Sequence, residues 1–166
     1  MADETVGYSA AVLTISTGGA EGTREDTSGP AAQEALRAAG FAIAAADLVR
    51  DDTAAIQAVL LRWVDHEDIP LIVTSGGTGL SPFDLTPEAT RAILDREAPG
   101  IAEAMRSQTL RITPMAMTTR AIAGVRGRSL IINLPGSPKG VRECLAVVAP
   151  VLMHAVALIR QDPTSH

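Results

Sequence analysis

An α/β fold with a largely parallel sheet is the architecture this chain predicts, on three observations. Apolar runs of strand length alternate with amphipathic segments of helical period. Loops rich in glycine or proline follow the apolar runs at 10–15, 69–74 and 129–134. The 166 residues suffice for one domain with a full core, and no internal repeat or linker divides them.

Ala10-Ala11-Val12-Leu13-Thr14-Ile15 reads as a buried strand, followed by a loop over 16–27 that holds Gly18, Gly19 and Gly22. Ser28-Gly29-Pro30 then opens a helix with Ser28 as N-cap; Ala31, Ala35, Leu36 and Ala39 share one face, and Gly40 ends it. A second strand covers 41–49. Asp51 and Asp52 stand at the next helix start, where carboxylates suit the dipole, and Ile56, Val59, Leu60, Trp63 and Val64 recur at helical spacing. The third strand, 69–74, delivers Ser75-Gly76-Gly77-Thr78-Gly79. Thr86-Pro87-Glu88 offers a hydroxyl cap and a proline at the first helical position. Another helix covers 99–109. Residues 121–125 and 129–134 pair as a hairpin around Arg126-Gly127-Arg128. Ser137 caps a last helix starting at Pro138, with the apolar stripe Val141, Cys144, Leu145, Val148, Leu152 and Val156 and a kink or break expected near Pro150. The domain is expected to span 8–160, with 1–7 and 161–166 frayed.

Composition excludes several functions. Aromatic residues are 2% of the chain, too few for a platform on which nucleic-acid bases stack. The net charge of −5 repels a phosphate backbone and an anionic membrane surface. No apolar run is expected to reach membrane-spanning length, and no signal pattern opens the chain. Cys144 is the single cysteine, which suits a reducing compartment, and a cytoplasmic location is expected. Neither nucleic acid nor membrane is expected as a partner.

Parallel strands send their loops to one edge, so the loops after 15, 74 and 134 should converge where α/β sheets bind ligands. Glycines allow the backbone to approach an anion and surround it with N–H groups. Asp84 follows as a metal-binding or proton-handling group. The pattern is neither a phosphate-binding loop with its lysine nor a dinucleotide fingerprint.

Gly76-Gly77-Thr78-Gly79, Asp84, Thr86-Pro87-Glu88-Ala89-Thr90 and Asn133-Leu134-Pro135-Gly136-Ser137-Pro138-Lys139 together closely resemble the molybdopterin-binding domains of molybdenum cofactor biosynthesis. That family includes the molybdopterin adenylyltransferases and a domain of gephyrin. The resemblance spans about residues 11–159 and implies a three-layer α/β/α sandwich. It also implies Mg²⁺-dependent transfer of AMP from ATP to the terminal phosphate of molybdopterin, with release of pyrophosphate. It further implies a homotrimer and a downstream molybdenum insertase. Asp84 matches the catalytic aspartate and Asp51 the second acidic position, and the resemblance implies both as catalytic residues and Mg²⁺ ligands, with Asp52 a neighbouring candidate for the second. Ser75, Gly76, Gly77, Thr78 and Gly79 should line the nucleotide with backbone donors, and Pro135, Gly136, Ser137 and Pro138 should form the opposite wall. Thr119, Arg120 and Lys139, with Ser16, Asp26 and Ser28 of the first loop, would serve the pterin and its phosphate. Phe83 stands where the adenylyltransferases often carry arginine, Thr17 where many carry aspartate, and Thr119 where serine is common. The alternative on the same fold is a non-catalytic pterin-binding or scaffolding module.

Simpler roles exist for many of these residues. Asp84 could cap the helix at Thr86, and Asp51 and Asp52 could each be a helix-start residue. Asp65-His66-Glu67-Asp68 reads as a polar helix end rather than a metal cluster. His154 reads as structural, the methionines as core fillers rather than a cofactor box, and Cys144 as a buried inert thiol.

Overall fold

The computed structural model describes residues 7–161; the fraying expected for the termini falls almost wholly outside the described residues. Six strands form one sheet in the order β2-β1-β3-β6-β5-β4. β1 (Ser9–Ile15), β2 (Ala42–Val49), β3 (Leu71–Ser75) and β6 (Ser129–Leu134) are mutually parallel, as expected. β5 (Ala123–Arg126) pairs antiparallel with β6 through the Gly127 turn, where φ is +54°. β4, only Arg96–Glu97, adds an antiparallel edge that is too short to leave a period in the sequence.

Side chains alternate across the sheet, and each face has its own core. Val12, Val73 and Ile132 point to α2 (Ser28–Ala38), α5 (Pro99–Thr109) and α6 (Pro138–Arg160). Leu13, Ile72 and Ile131 point to α3 (Thr53–Leu61), its π-helical extension Arg62–His66, and α4 (Thr86–Arg91). The first loop contains one helical turn, α1 (Thr17–Ala20), and α5 leads to a 3₁₀ segment at Pro114–Thr118. The result is a three-layer α/β/α sandwich.

Several local expectations need correction. Ser28 is not the cap of α2; the Asp26 carboxylate accepts from the Gly29 N–H at 2.9 Å. α6 continues through Pro150 without a break. Pro150 and Ala146, whose carbonyl loses a donor, are both exposed, so water can replace the missing bond. α6 is also long and apolar enough to cross a membrane by length and composition. Its stripe from Val141 to Val156 is nonetheless packed into the core. His154 is exposed on α6, and Met115 and Met117 are exposed rather than core residues.

Candidate active site

Strand register brings three loops to one level. Thr14 pairs with Ser75, and Ser75 with Leu134, so the chain leaves the sheet at Ser16, Gly76 and Pro135 side by side. Gly76 passes directly over β1: its φ is +103°, and a Cβ would collide with the Ile15 carbonyl oxygen. Gly77, with φ +65°, is hemmed in by the Thr86 hydroxyl, and a Cβ would lie 3.1 Å from Asp51 Oδ1.

Hydrogen bonds fasten these loops. The Ser75 hydroxyl donates to the Pro135 carbonyl at 2.9 Å. The Thr86 hydroxyl donates to the Gly76 carbonyl at 2.9 Å and makes no cap of its helix, contrary to the sequence reading. The Gly76 N–H is already spent on the Leu134 carbonyl, so Gly76 contributes shape rather than a donor. The N–H groups of Gly77, Thr78 and Gly79 have no protein acceptor among the described residues and can bind an anion. Asn133, fully buried, donates to the Thr74 and Thr90 hydroxyls, both at 3.0 Å, and joins β6 to β3 and α4. Ser137 caps α6 by accepting from the Gly140 N–H, as expected.

The two aspartates have similar anchoring. Asp51 Oδ2 accepts from the Thr17 N–H at 3.1 Å and from the Thr17 hydroxyl at 2.9 Å. Asp84 Oδ2 accepts from the Ser81 N–H at 3.0 Å, so it closes its own loop and does not cap α4. The second oxygen of each carboxylate has no hydrogen-bond partner among the described residues. Asp52 serves α3 instead, accepting from the Ala55 N–H at 2.8 Å as its N-cap.

Two cavities meet here. One, of about 530 Å³, has an apolar wall of Ala102, Met105, Met115 and Ala116, and also takes in Thr78, Gly79, Thr119, Pro135 and Lys139. The other, of about 480 Å³, is polar, with Ser16, Asp26, Ser28, Asp51, Ser75, Gly76 and Pro138; Arg24 is its one cation among the described residues. Gly77, Asp84, Gly136 and Ser137 line both. The apolar wall suits a flat heterocycle, and the acidic cavity suits a divalent cation with phosphate oxygens.

The residues implied for the pterin phosphate are therefore divided. Thr119 and Lys139 lie in the first cavity; Ser16, Asp26 and Ser28 lie in the second. Lys139 Nζ is 3.7 Å from Glu143 and largely exposed. Asp26 has both oxygens engaged, one by Gly29 and the other by the Thr14 hydroxyl at 2.9 Å. Arg120 lines neither cavity. Its guanidinium donates to the Gly79 and Asp84 carbonyls, both at 2.7 Å, and pairs with Glu88. It clamps the two ends of the 79–84 loop, and it holds the Glu88 carboxyl below the usual glutamate range by hydrogen bonding.

Outside the cleft, Asp65 pairs with Arg126, Asp68 with Arg160, and Glu67 with Arg62, so the acidic segment is a set of ion pairs. Among the described residues no group of three or more His, Cys, Asp or Glu is placed to hold a metal. Cys144, by contrast, is buried in the lining of the first cavity; desolvation first, and the Glu143 charge second, push its thiol up to about 11.

Sequence reading missed the roles of Thr17, Arg24 and the apolar wall. The wall comes from α5 and the 3₁₀ segment, which face the cleft only after the chain folds back. Asn133, a carboxamide between Ile132 and Leu134 of an apolar strand, is a sequence signal of a built polar interior there.

An α/β protein with a two-cavity cleft, backbone anion donors and paired carboxylates is the class this architecture defines. The family described as "Probable molybdopterin binding domain" matches residues 11–154. The structure of the molybdopterin biosynthesis enzyme MoaB from Thermus thermophilus is 53% identical, with a TM-score of 0.89 over 94% of this chain and 98% of that one. A molybdopterin adenylyltransferase of Helicobacter pylori is 40% identical over 152 residues, 89% of this chain and 85% of the relative. The Drosophila melanogaster molybdenum cofactor synthesis protein cinnamon is 40% identical over 153 residues, 91% of this chain but 25% of the relative, so this chain spans about a quarter of that protein. The chain belongs to the molybdopterin-binding domain family of molybdenum cofactor biosynthesis.

Proposed function

We propose that this chain is a Mg²⁺-dependent molybdopterin adenylyltransferase, joining AMP from ATP to molybdopterin. One observation carries the reading: two cavities share Gly77, Asp84, Gly136 and Ser137, so two ligands can meet at one carboxylate. The Helicobacter pylori relative of that name, similar over most of both chains, supports it.

In this reaction a phosphate oxygen of the pterin bonds to the α-phosphorus of ATP as the bond to pyrophosphate breaks. The attacking oxygen is already ionised, so no strong general base is required. The barrier is one of charge and alignment. Gly77, Thr78 and Gly79 present N–H groups to phosphoryl oxygens, and the Ser137 end of α6 adds its helix N-terminus. Asp51 and Asp84 fit a divalent cation, each keeping one oxygen free while the other is anchored. When bound, such a cation neutralises phosphate charge. A cytoplasmic homotrimer that passes its product to a molybdenum insertase completes the proposal.

Incubation with ATP, Mg²⁺ and molybdopterin is expected to yield adenylylated pterin and pyrophosphate. Asp84→Asn is expected to lower the rate roughly 10²-fold, the scale of one lost electrostatic contact, with pterin affinity little changed. Pterin binding with no adenylate under any divalent metal would refute the reading. It would favour a pterin-binding scaffold, for which Phe83, 74% exposed on the Asp84 loop and carrying no charge, is the specific argument.

A further inference from the structure

We infer that Thr17 is a positioning residue that orients Asp51 toward the metal-binding cavity. The inference rests on the proposed role of Asp51 as a cation ligand. Its own basis is a closed pattern of three hydrogen bonds. The Thr17 hydroxyl donates to Asp51 Oδ2 at 2.9 Å and accepts from the Asp51 N–H at 3.1 Å, while the Thr17 N–H donates to the same Oδ2 at 3.1 Å.

One hydroxyl thus bridges the backbone and the carboxylate of the same aspartate. That fixes the Asp51 side chain in one rotamer and saturates Oδ2, so Oδ1 is the oxygen left for the cavity. The position of Oδ1 agrees: a Cβ on Gly77 would lie 3.1 Å from it, placing it against the glycine loop. Thr17 itself is held by the first helical turn, which Ser16 caps by accepting from the Gly19 N–H at 3.0 Å. The Ser16 N–H donates to the Val49 carbonyl at 2.8 Å, which fastens this turn to the end of β2, two residues before Asp51. Asp51 and Thr17 therefore form one rigid unit built from two loops. Partners that orient a metal ligand without touching the metal commonly account for about 10–100-fold in metal affinity.

The test is Mn²⁺ binding to the ATP-loaded protein, read by water-proton relaxation, with no turnover required. Thr17→Val keeps the side-chain shape and loses the hydroxyl; it is expected to weaken Mn²⁺ binding about tenfold or more. Thr17→Ser restores the hydroxyl and is expected to stay within about twofold of the parent protein. Thr17→Ala, which keeps the backbone donor and cannot overpack, serves if the valine variant folds poorly. Asp51→Asn is the reference. If it abolishes Mn²⁺ binding while Thr17→Val and Thr17→Ala bind like the parent, the inference about Thr17 is overturned and the role of Asp51 stands. If Asp51→Asn binds Mn²⁺ like the parent, or the parent binds none, the role of Asp51 fails and the inference falls with it.

Discussion

Replacing Arg120 by alanine separates two roles that the sequence alone leaves entangled. The guanidinium donates at 2.7 Å to the Gly79 carbonyl and at 2.7 Å to the Asp84 carbonyl, and it pairs with the half-exposed Glu88. Each carbonyl bond contributes about 1 kcal/mol net, because water reaches both acceptors once the side chain is gone. The exposed ion pair adds about 0.5 kcal/mol. The sum, roughly 2–3 kcal/mol, corresponds to a fall in Tm of about 5–10 °C for a chain of this size. The larger effect should be on chemistry: the segment bearing Asp84 loses the tie at both ends, and misplacement by about 1 Å can lower a rate on the order of 10²-fold. Thermal unfolding by calorimetry and steady-state adenylylation with varied molybdopterin measure the two effects. A clamp predicts a lower kcat with little change in the KM for pterin, and Arg120→Lys, which has no planar fork, should recover little of it. A raised pterin KM with kcat intact would mean that Arg120 binds the pterin phosphate directly and is not a clamp.

Gly76→Ala should destabilise the fold by about 2–3 kcal/mol, through its positive φ and the collision with Ile15; an unchanged urea midpoint would contradict this. Asp65 and Glu88 are held below their ordinary values of 3.8 and 4.5 by hydrogen bonds from Arg126 and Arg120. A lowered carboxylate pKa stabilises the native state above the ordinary value, and that contribution disappears as pH falls through the lowered one. Tm should therefore start to fall below about pH 4.5, and less steeply in an Asp65→Asn/Glu88→Gln double variant; parallel pH profiles would count against both pairs. Cys144, buried in the lining of the first cavity with its thiol at about 11, should resist alkylation by iodoacetamide at pH 8 until the protein is denatured; rapid labelling of the native chain would mean that the cavity presents a reactive thiolate, contrary to this reading.

Period and punctuation in the sequence were enough for the parallel strands, the helices that cover them and the Ser137-Pro138 start of α6, because local propensity and burial agree at those positions. The glycine and proline loops were legible for the same reason: only certain residues tolerate such turns, so the constraint is written in residue type. Tertiary structure alone decided how neighbouring polar residues divide their roles. Asp51 and Asp52 are adjacent and chemically alike, yet one faces the cavity and the other caps α3. Asp26 took the capping role expected of Ser28, Thr86 turned from its helix to the Gly76 carbonyl, and Arg120 turned from the cleft to clamp a loop. Each outcome depends on which acceptor a folded neighbour places within about 3 Å, and hydrogen bonds have no reach beyond that distance to leave a pattern along the chain. The apolar wall of the first cavity has the same origin: α5 and the 3₁₀ segment meet the glycine loops only after the sheet has formed.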